Sequence, residues 1–135
     1  MSSVVIIPTY NERDNLTELT ERLLGLGLDL DVVFVDDGSP DGTGKVADHL
    51  AQSFPHISVI HRERKLGYGS AVIEGFRAAL RGEYSWVLQM DADLSHDPAA
   101  IPALCSGRPR TTTWCWGLAT SAASGSWIGR SVVFC

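Results

Sequence analysis

No run of about 18 apolar residues occurs in the chain, so the sequence holds no helix built to cross a membrane. The N-terminus also lacks a basic segment followed by a long apolar core, the pattern of an export signal. Both absences point to a cytosolic chain. Cysteine is scarce and badly placed for structure: Cys105, Cys115 and Cys135 are odd in number and fit no ligand spacing, so they give no argument for a disulfide framework, a zinc site or a secreted compartment. Acidic residues are missing after Asp97, although all 16 of them lie at or before it. Three of the four tryptophans come after Leu104, in a segment rich in Ser, Thr, Gly and Arg. A net charge of -5 argues against non-specific nucleic-acid binding. The 135 residues, 44% of them hydrophobic, otherwise suit one ordinary globular domain.

What is present before that break alternates between strand and helix periods. Val4-Val5-Ile6-Ile7 is a continuous β-branched run ended by Pro8, the pattern of a strand buried on both faces. Residues 15–26 follow with Leu16, Leu19, Leu23 and Leu24 at helical spacing. Val32-Val33-Phe34-Val35 predicts a second buried strand within residues 31–36, 43–54 a helix, Ile57-Ser58-Val59-Ile60 a third strand, 69–81 a helix, and 85–90 a fourth strand. Three strand-helix-strand units in succession predict a parallel α/β sheet, Rossmann-like in layout, with function on the loops after its strands. Past Leu104 no period returns until a short Ser131-Val132-Val133-Phe134.

The strand-end loops carry the chemistry. Pro8-Thr9-Tyr10-Asn11-Glu12 follows the first strand, residues 36–43 (Asp-Asp-Gly-Ser-Pro-Asp-Gly-Thr) the second, and Asp91-Ala92-Asp93-Leu94-Ser95-His96 the fourth. Asn11 also suits a helix cap and Ser39-Pro40-Asp41-Gly42 a plain turn, but the three sets at one sheet edge can converge on one crevice. Asp91 and Asp93 are the most telling pair. Two carboxylates about 4 Å apart repel by about 4 kcal/mol at an effective dielectric near 20, so a cation or a proton belongs between them. A divalent metal carrying a diphosphate fills that role. Other phosphate motifs fail by count: the P-loop start at Gly38 has Thr43 where its second glycine is required and Val46 where Ser or Thr should stand. Gly67-Tyr68-Gly69 follows the wrong strand for a dinucleotide fingerprint and has Val72 in place of its last glycine. A receiver domain would need its acidic pair after the first strand, where Pro8-Thr9-Tyr10 stands.

Ile7-Pro8-Thr9-Tyr10-Asn11-Glu12, the 35–43 segment Val-Asp-Asp-Gly-Ser-Pro-Asp-Gly-Thr, Lys65-Leu66-Gly67-Tyr68-Gly69 and Met90-Asp91-Ala92-Asp93-Leu94-Ser95-His96 together resemble the family 2 glycosyltransferases. Within them the chain is most similar to the dolichyl-phosphate and polyprenyl-phosphate mannosyltransferases, over residues 4–104. That resemblance implies a GT-A fold and inverting transfer of mannose from GDP-mannose to a polyprenyl monophosphate in the membrane. The intact family member would sit peripherally at the cytoplasmic face. It further implies a nucleotide-sugar pocket lined by Pro8, Tyr10, Glu12, Val35, Asp37, Asp91, Ala92 and Asp93. Mg2+ or Mn2+ would be held by Asp93, with Asp91 and Ser95 as further ligands and Asp91 and Asp93 as the catalytic pair. Ser95 stands where many members have Gln. Asp37 is suited to accept from base N–H groups. The acceptor is already an anion and needs no strong general base, so His96 is expected to be a loop hydrogen-bonder. Lys65 and Arg64 fit either phosphate contact or a solvated loop. Two alternatives stay open: a nucleotide-sugar-binding fragment without transfer activity, and a family 2 enzyme using UDP-glucose or another donor.

The family continues with a strand and a Gly-Ser-Arg-aromatic motif that this tail lacks. Shifting the reading frame by one nucleotide turns Trp114-Cys115-Trp116-Gly117 into Val-Leu-Gly with no codon freedom, and Leu118-Ala119 can then give Ser-Arg. Residues 1–104 are therefore expected to be the nucleotide-sugar-binding half of a truncated GT-A domain, and 105–135 a frameshifted, poorly ordered tail. The chain would then be an incomplete, inactive copy whose Trp86-Val87-Leu88 strand presents an unpaired edge.

Overall fold

The computed structural model describes residues 2–105 and 131–134. In chain order the elements are β1 (Ser3–Thr9), α1 (Leu16–Leu24), β2 (Leu30–Asp36), α2 (Thr43–Ser53), β3 (Ile57–His61), α3 (Tyr68–Ala79), β4 (Trp86–Gln89), a 3-10 turn (Pro98–Ala100) running into α4 (Ile101–Cys105), and β5 (Ser131–Phe134). The five strands form one sheet in the order β3-β2-β1-β4-β5, and every pairing is parallel. The predicted α/β class and all four expected strands are present.

β1 is the central strand, and its sequence explains why. Side chains alternate between the two sheet faces, so a strand covered on both reads as an unbroken apolar run. Val5 and Ile7 join Val32, Phe34, Leu88 and Met90 in a core closed by Leu16, Leu19 and Leu23 of α1, Ala47 and Leu50 of α2, and Ile101 and Leu104. Val4 and Ile6 face the other way, with Val33, Val35 and Val87, under Ala71 and Ala79 of α3. Small residues line that face of α3 because the helix sits close to the sheet. A methyl group at Gly75 would collide with Ile6 Cγ2 and lie 3.2 Å from Val35 Cγ2.

Pro8 does not end β1, which runs on to Thr9. The reason lies in the register. The Ile6 carbonyl accepts from Met90 N–H and the Thr9 carbonyl from Asp37 N–H, so the Pro8 nitrogen is directed toward the β4 side, where that strand has already stopped at Gln89. The missing N–H falls where the β1–β4 ladder stops, while the β2 side of β1 stays paired through Thr9.

The bare edge expected on β4 is not found. Trp86, Val87, Leu88 and Gln89 pair with Ser131, Val132, Val133 and Phe134. An open row of strand N–H and C=O groups recruits a β-prone segment, and the short period at residues 131–134 supplies one. Most of the tail expected to be poorly ordered, residues 106–130, lies outside the described residues. Among the described residues no helix is long and apolar enough to cross a membrane.

Candidate functional site

In the order β3-β2-β1-β4 the chain winds outward from β1 in one direction and then returns to its other side. The crevice at the carboxyl ends of β1 and β4 is therefore the switch point of the sheet, where ligands of open α/β folds bind. A cavity of about 290 Å³ lies there, lined by Pro8, Thr9, Tyr10, Glu12, Asp37, Lys65, Tyr68, Ala71, Asp91, Ala92 and Asp93. Seven of the residues expected to bind nucleotide sugar are thus brought together from three separate loops. Val35 is not among them: it is fully buried beneath the cavity in the α3 face of the core. Ser95 does not line the cavity either; its N–H donates to Asp93 Oδ1 at 2.9 Å.

The loops are held by their own polar groups. Asp41 accepts from Thr43 N–H at 2.9 Å, and Thr43 Oγ1 accepts from Glu12 N–H at 3.0 Å, tying the first loop to the second. Asn11 adopts φ +58 and donates its N–H to Ser39 Oγ, while Asn15 takes the position before α1. Asn tolerates the left-handed region. Leu94 also sits there, at φ +61, which is strained for a bulky side chain and is held by packing against the α1 side of the core. The strain falls one residue after Asp93, in the turn that shapes the carboxylate pair.

Asp37 is 3% exposed and heavily engaged. Its Oδ1 accepts from Arg62 Nη1 at 2.6 Å and Leu66 N–H at 3.0 Å, and its Oδ2 from Gly67 N–H at 2.9 Å. It therefore anchors the loop that leads into α3. Arg62 is buried with it, and its Nε lies 3.0 Å from Glu74 Oε2 as an ion pair whose N–H is not aligned for a hydrogen bond. Lys65 extends over the Tyr10 ring, its ammonium 3.8 Å from the ring centre.

At the other end of the cavity, Asp91 Oδ1 accepts from the Tyr68 hydroxyl at 2.6 Å and from Gln89 Nε2 at 3.1 Å. Burial, then the hydrogen bond to Asp91, pushes the Tyr68 phenol well above its ordinary value. Hydrogen bonds from the Ser95 side chain and backbone hold the Asp93 carboxyl below the usual carboxylate range. His96 is not the loop hydrogen-bonder expected of it. Among the described residues its Nδ1 is buried without a hydrogen-bond partner, 3.9 Å from Asp91 Oδ2.

The wall charges decide what can enter. Glu12, Asp37, Asp91 and Asp93 face the cavity against one lining cation, Lys65. Asp37 is neutralised by Arg62, which leaves Glu12, Asp91 and Asp93 against Lys65, and a further positive charge would favour a nucleoside diphosphate at such a wall. Among the described residues no three His, Cys, Asp or Glu side chains converge as a metal cage. Two carboxylates with an otherwise open coordination sphere suit Mg2+ or Mn2+, which take few protein ligands and complete their shell with phosphate oxygens and water. The sequence offers Lys65 as a phosphate contact but gives Tyr68, Gln89 and Arg62 no role. The rule that placed the other loops, function at strand carboxyl ends, also covers the loop after β3 and would have found Arg62 and Tyr68.

Comparison with known proteins agrees with this geometry. The model of the family described as Glycosyl transferase family 2 matches residues 4–106. The polyprenol monophosphomannose synthase of Mycolicibacterium smegmatis is 47% identical over 103 residues, which are 76% of this chain and 39% of that protein. The undecaprenyl-phosphate mannosyltransferase of Micrococcus luteus is 46% identical over 104 residues, 77% of this chain and 43% of that protein. The chain thus spans well under half the length of these curated relatives. Among solved structures, the mannosyltransferase PcManGT from Pyrobaculum calidifontis, in complex with GDP-Man and Mn2+, superposes with a TM-score of 0.65 at 24% identity, covering 82% of this chain and 33% of that one. Staphylococcus aureus TarS does so with a TM-score of 0.65 at 25% identity, covering 78% and 32%. The sheet order, the switch-point cavity and the match over residues 4–106 lead to one conclusion: the architecture is GT-A, and the chain belongs to glycosyl transferase family 2.

Proposed function

We propose that this chain carries the donor-binding half of an inverting mannosyltransferase that moves mannose from GDP-mannose to a polyprenyl or dolichyl monophosphate. The observation that carries the proposal is the cavity at the β1/β4 switch point, walled by four carboxylates and one lysine. Pro8, Tyr10, Glu12 and Asp37 form the nucleoside end, with Val35 behind it. Asp37 has about four lone-pair positions, three of them occupied by Arg62, Leu66 and Gly67, so one remains for a base N–H. Asp91, Ala92 and Asp93 form the diphosphate and sugar end. Asp93 and Asp91 would hold Mg2+ or Mn2+, with Ser95 reaching it through water. A bound divalent cation supplies Lewis-acid neutralisation of the charge that develops on the leaving β-phosphate. Lys65 is placed to face the same phosphates once it leaves the Tyr10 ring. The acceptor is an anionic phosphate, so no residue of this half needs to abstract a proton.

Residues after Leu104 are read as the product of a shifted frame that displaces the acceptor half, which makes the chain as written inactive in transfer. Calorimetry with GDP-mannose, UDP-glucose, GDP and UDP in the presence of Mn2+ tests the donor assignment. Preferential binding of the guanine nucleotides is expected, and a preference for UDP would move the chain to another donor. Assay of mannose transfer by the written chain beside one with the frame restored tests the rest. Equal turnover would refute the displaced acceptor half.

A further inference from the structure

We propose that Tyr68 and Gln89 are positioning residues that fix the orientation of the Asp91 carboxylate, leaving one oxygen free to meet the cation. The proposal rests on the reading of Asp91 and Asp93 as a cation and diphosphate site.

Gln89 is the last residue of β4 and is 4% exposed, an amide in a strand that is otherwise apolar. Buried amides need partners. Its Nε2 donates to the Tyr68 hydroxyl oxygen at 2.7 Å and to Asp91 Oδ1 at 3.1 Å, and the Tyr68 hydroxyl donates to that same Oδ1 at 2.6 Å. The triangle closes in only one protonation pattern. An ionised carboxylate accepts and never donates, so both the amide and the phenol must give their protons to it, and the second amide N–H goes to the phenol oxygen. The Gln89 carbonyl oxygen is thereby turned away from Asp91.

Both donors meet one oxygen. Asp91 Oδ1 is saturated by protein, and Oδ2 has no hydrogen bond among the described residues, only His96 Nδ1 at 3.9 Å. Partial rotation of the carboxylate would turn the free oxygen away from the cavity; the triangle restrains it. The two posts come from different elements, Gln89 from β4 and Tyr68 from the first turn of α3. The loop before α3 is pinned in turn by Asp37 through Leu66 and Gly67 N–H. The orientation of Asp91 is therefore set by the rigid sheet on one side and by the anchored helix start on the other.

A purely structural role would place the value of Tyr68 in packing, yet the residue is 56% exposed. Loss of its hydroxyl removes nothing from the core. Groups that orient a metal ligand typically change metal affinity or activity by 10- to 100-fold when removed.

The experiment uses the full chain and Mn2+ as the probe, with binding followed by electron paramagnetic resonance, with and without GDP, alongside thermal melts of the metal-free proteins. Tyr68→Phe should melt like the parent and bind Mn2+ about 10-fold more weakly or worse. Gln89→Leu should weaken binding similarly, and the double variant should fall short of the product of the two losses, because both act through one oxygen. Unchanged Mn2+ affinity in Tyr68→Phe, with binding lost in Asp93→Asn, overturns the positioning role alone. A lowered melting temperature that accompanies the weaker binding marks a structural role and also overturns it. A parent chain with no saturable Mn2+ binding refutes both the site and the role.

Discussion

Replacing Arg62 by Met tests how the nucleoside end of the cavity is held. The Arg62 guanidinium lies 2.6 Å from Asp37 Oδ1, and both side chains are 5% exposed. Removing it leaves a buried carboxylate with only the Leu66 and Gly67 N–H groups as donors. Breaking one side of a buried pair costs about 3–5 kcal/mol, and Met fills the volume of the aliphatic stem, so little cavity cost is added. Asp37→Ala should cost about as much, because it strands the guanidinium and two backbone donors. Glu74, 3.0 Å from Arg62 Nε, offsets part of that charge. In the double variant neither charge remains, so the losses should fall short of their sum by about 2–4 kcal/mol. Domains of this size are stable by about 5–15 kcal/mol, so each single variant should remain measurable by urea unfolding followed through tryptophan fluorescence. Losses that add to within about 0.5 kcal/mol would show that the pair is not coupled and that Asp37 is free for another role.

Asp93→Asn should weaken Mn2+-dependent GDP-mannose binding by about 1.5–3 kcal/mol, the value of a hydrogen bond or ligand contact to a charged group, and equal titration curves would remove Asp93 from the site. Gly75→Ala gains about 1 kcal/mol of helix propensity but drives a methyl into Ile6, where overpacking costs about 1–3 kcal/mol, so urea unfolding should show a net loss of up to about 2 kcal/mol. A stabilised Gly75→Ala protein would mean that α3 sits farther from the sheet. The hydrogen bond to Asp31, then burial, pushes the Tyr84 phenol from 10.0 up to about 12 in the folded chain. Its stabilisation is therefore full below pH 10 and lost as the pH rises through about 12. Tyr84→Phe should lose less stability than the parent between those pH values, and parallel alkaline curves would contradict the link.

The parallel sheet was legible because its strands are buried on both faces and their apolar runs have no competing period. Val4 to Ile7 and Val32 to Val35 are such runs, and each ends in the polar loop that builds the site. Asp91 and Asp93 were legible for an electrostatic reason, since a close acidic pair implies a cation. Three features were not. Pro8 marks a strand end in sequence, but only the register shows that its missing N–H lies on the β4 side, where pairing stops at Gln89, while the β2 side pairs on to Thr9. The engagement of Asp37 by Arg62 joins residues 25 apart in sequence, and nothing local to either predicts it. Tyr68 reads only as part of the Lys65-Leu66-Gly67-Tyr68-Gly69 loop, and its role emerges only when the start of α3 is set beside the end of β4.

The pairing of β1 with both Leu30–Asp36 and Trp86–Gln89 also fixes a timetable. β1 is synthesised before either of its two neighbours, β2 and β4. It finds β2 early, across a single helix, but its other flank stays bare until residue 89 has been synthesised. Distant pairings form slowly because the intervening chain must be closed first. Tyr10 and Glu12 hang from that early strand and Asp91 and Asp93 from the late one, so the two walls of the crevice meet only when β4 docks. A nascent chain stopped short of β4 carries at most three of the sheet's five strands and only one wall of the crevice.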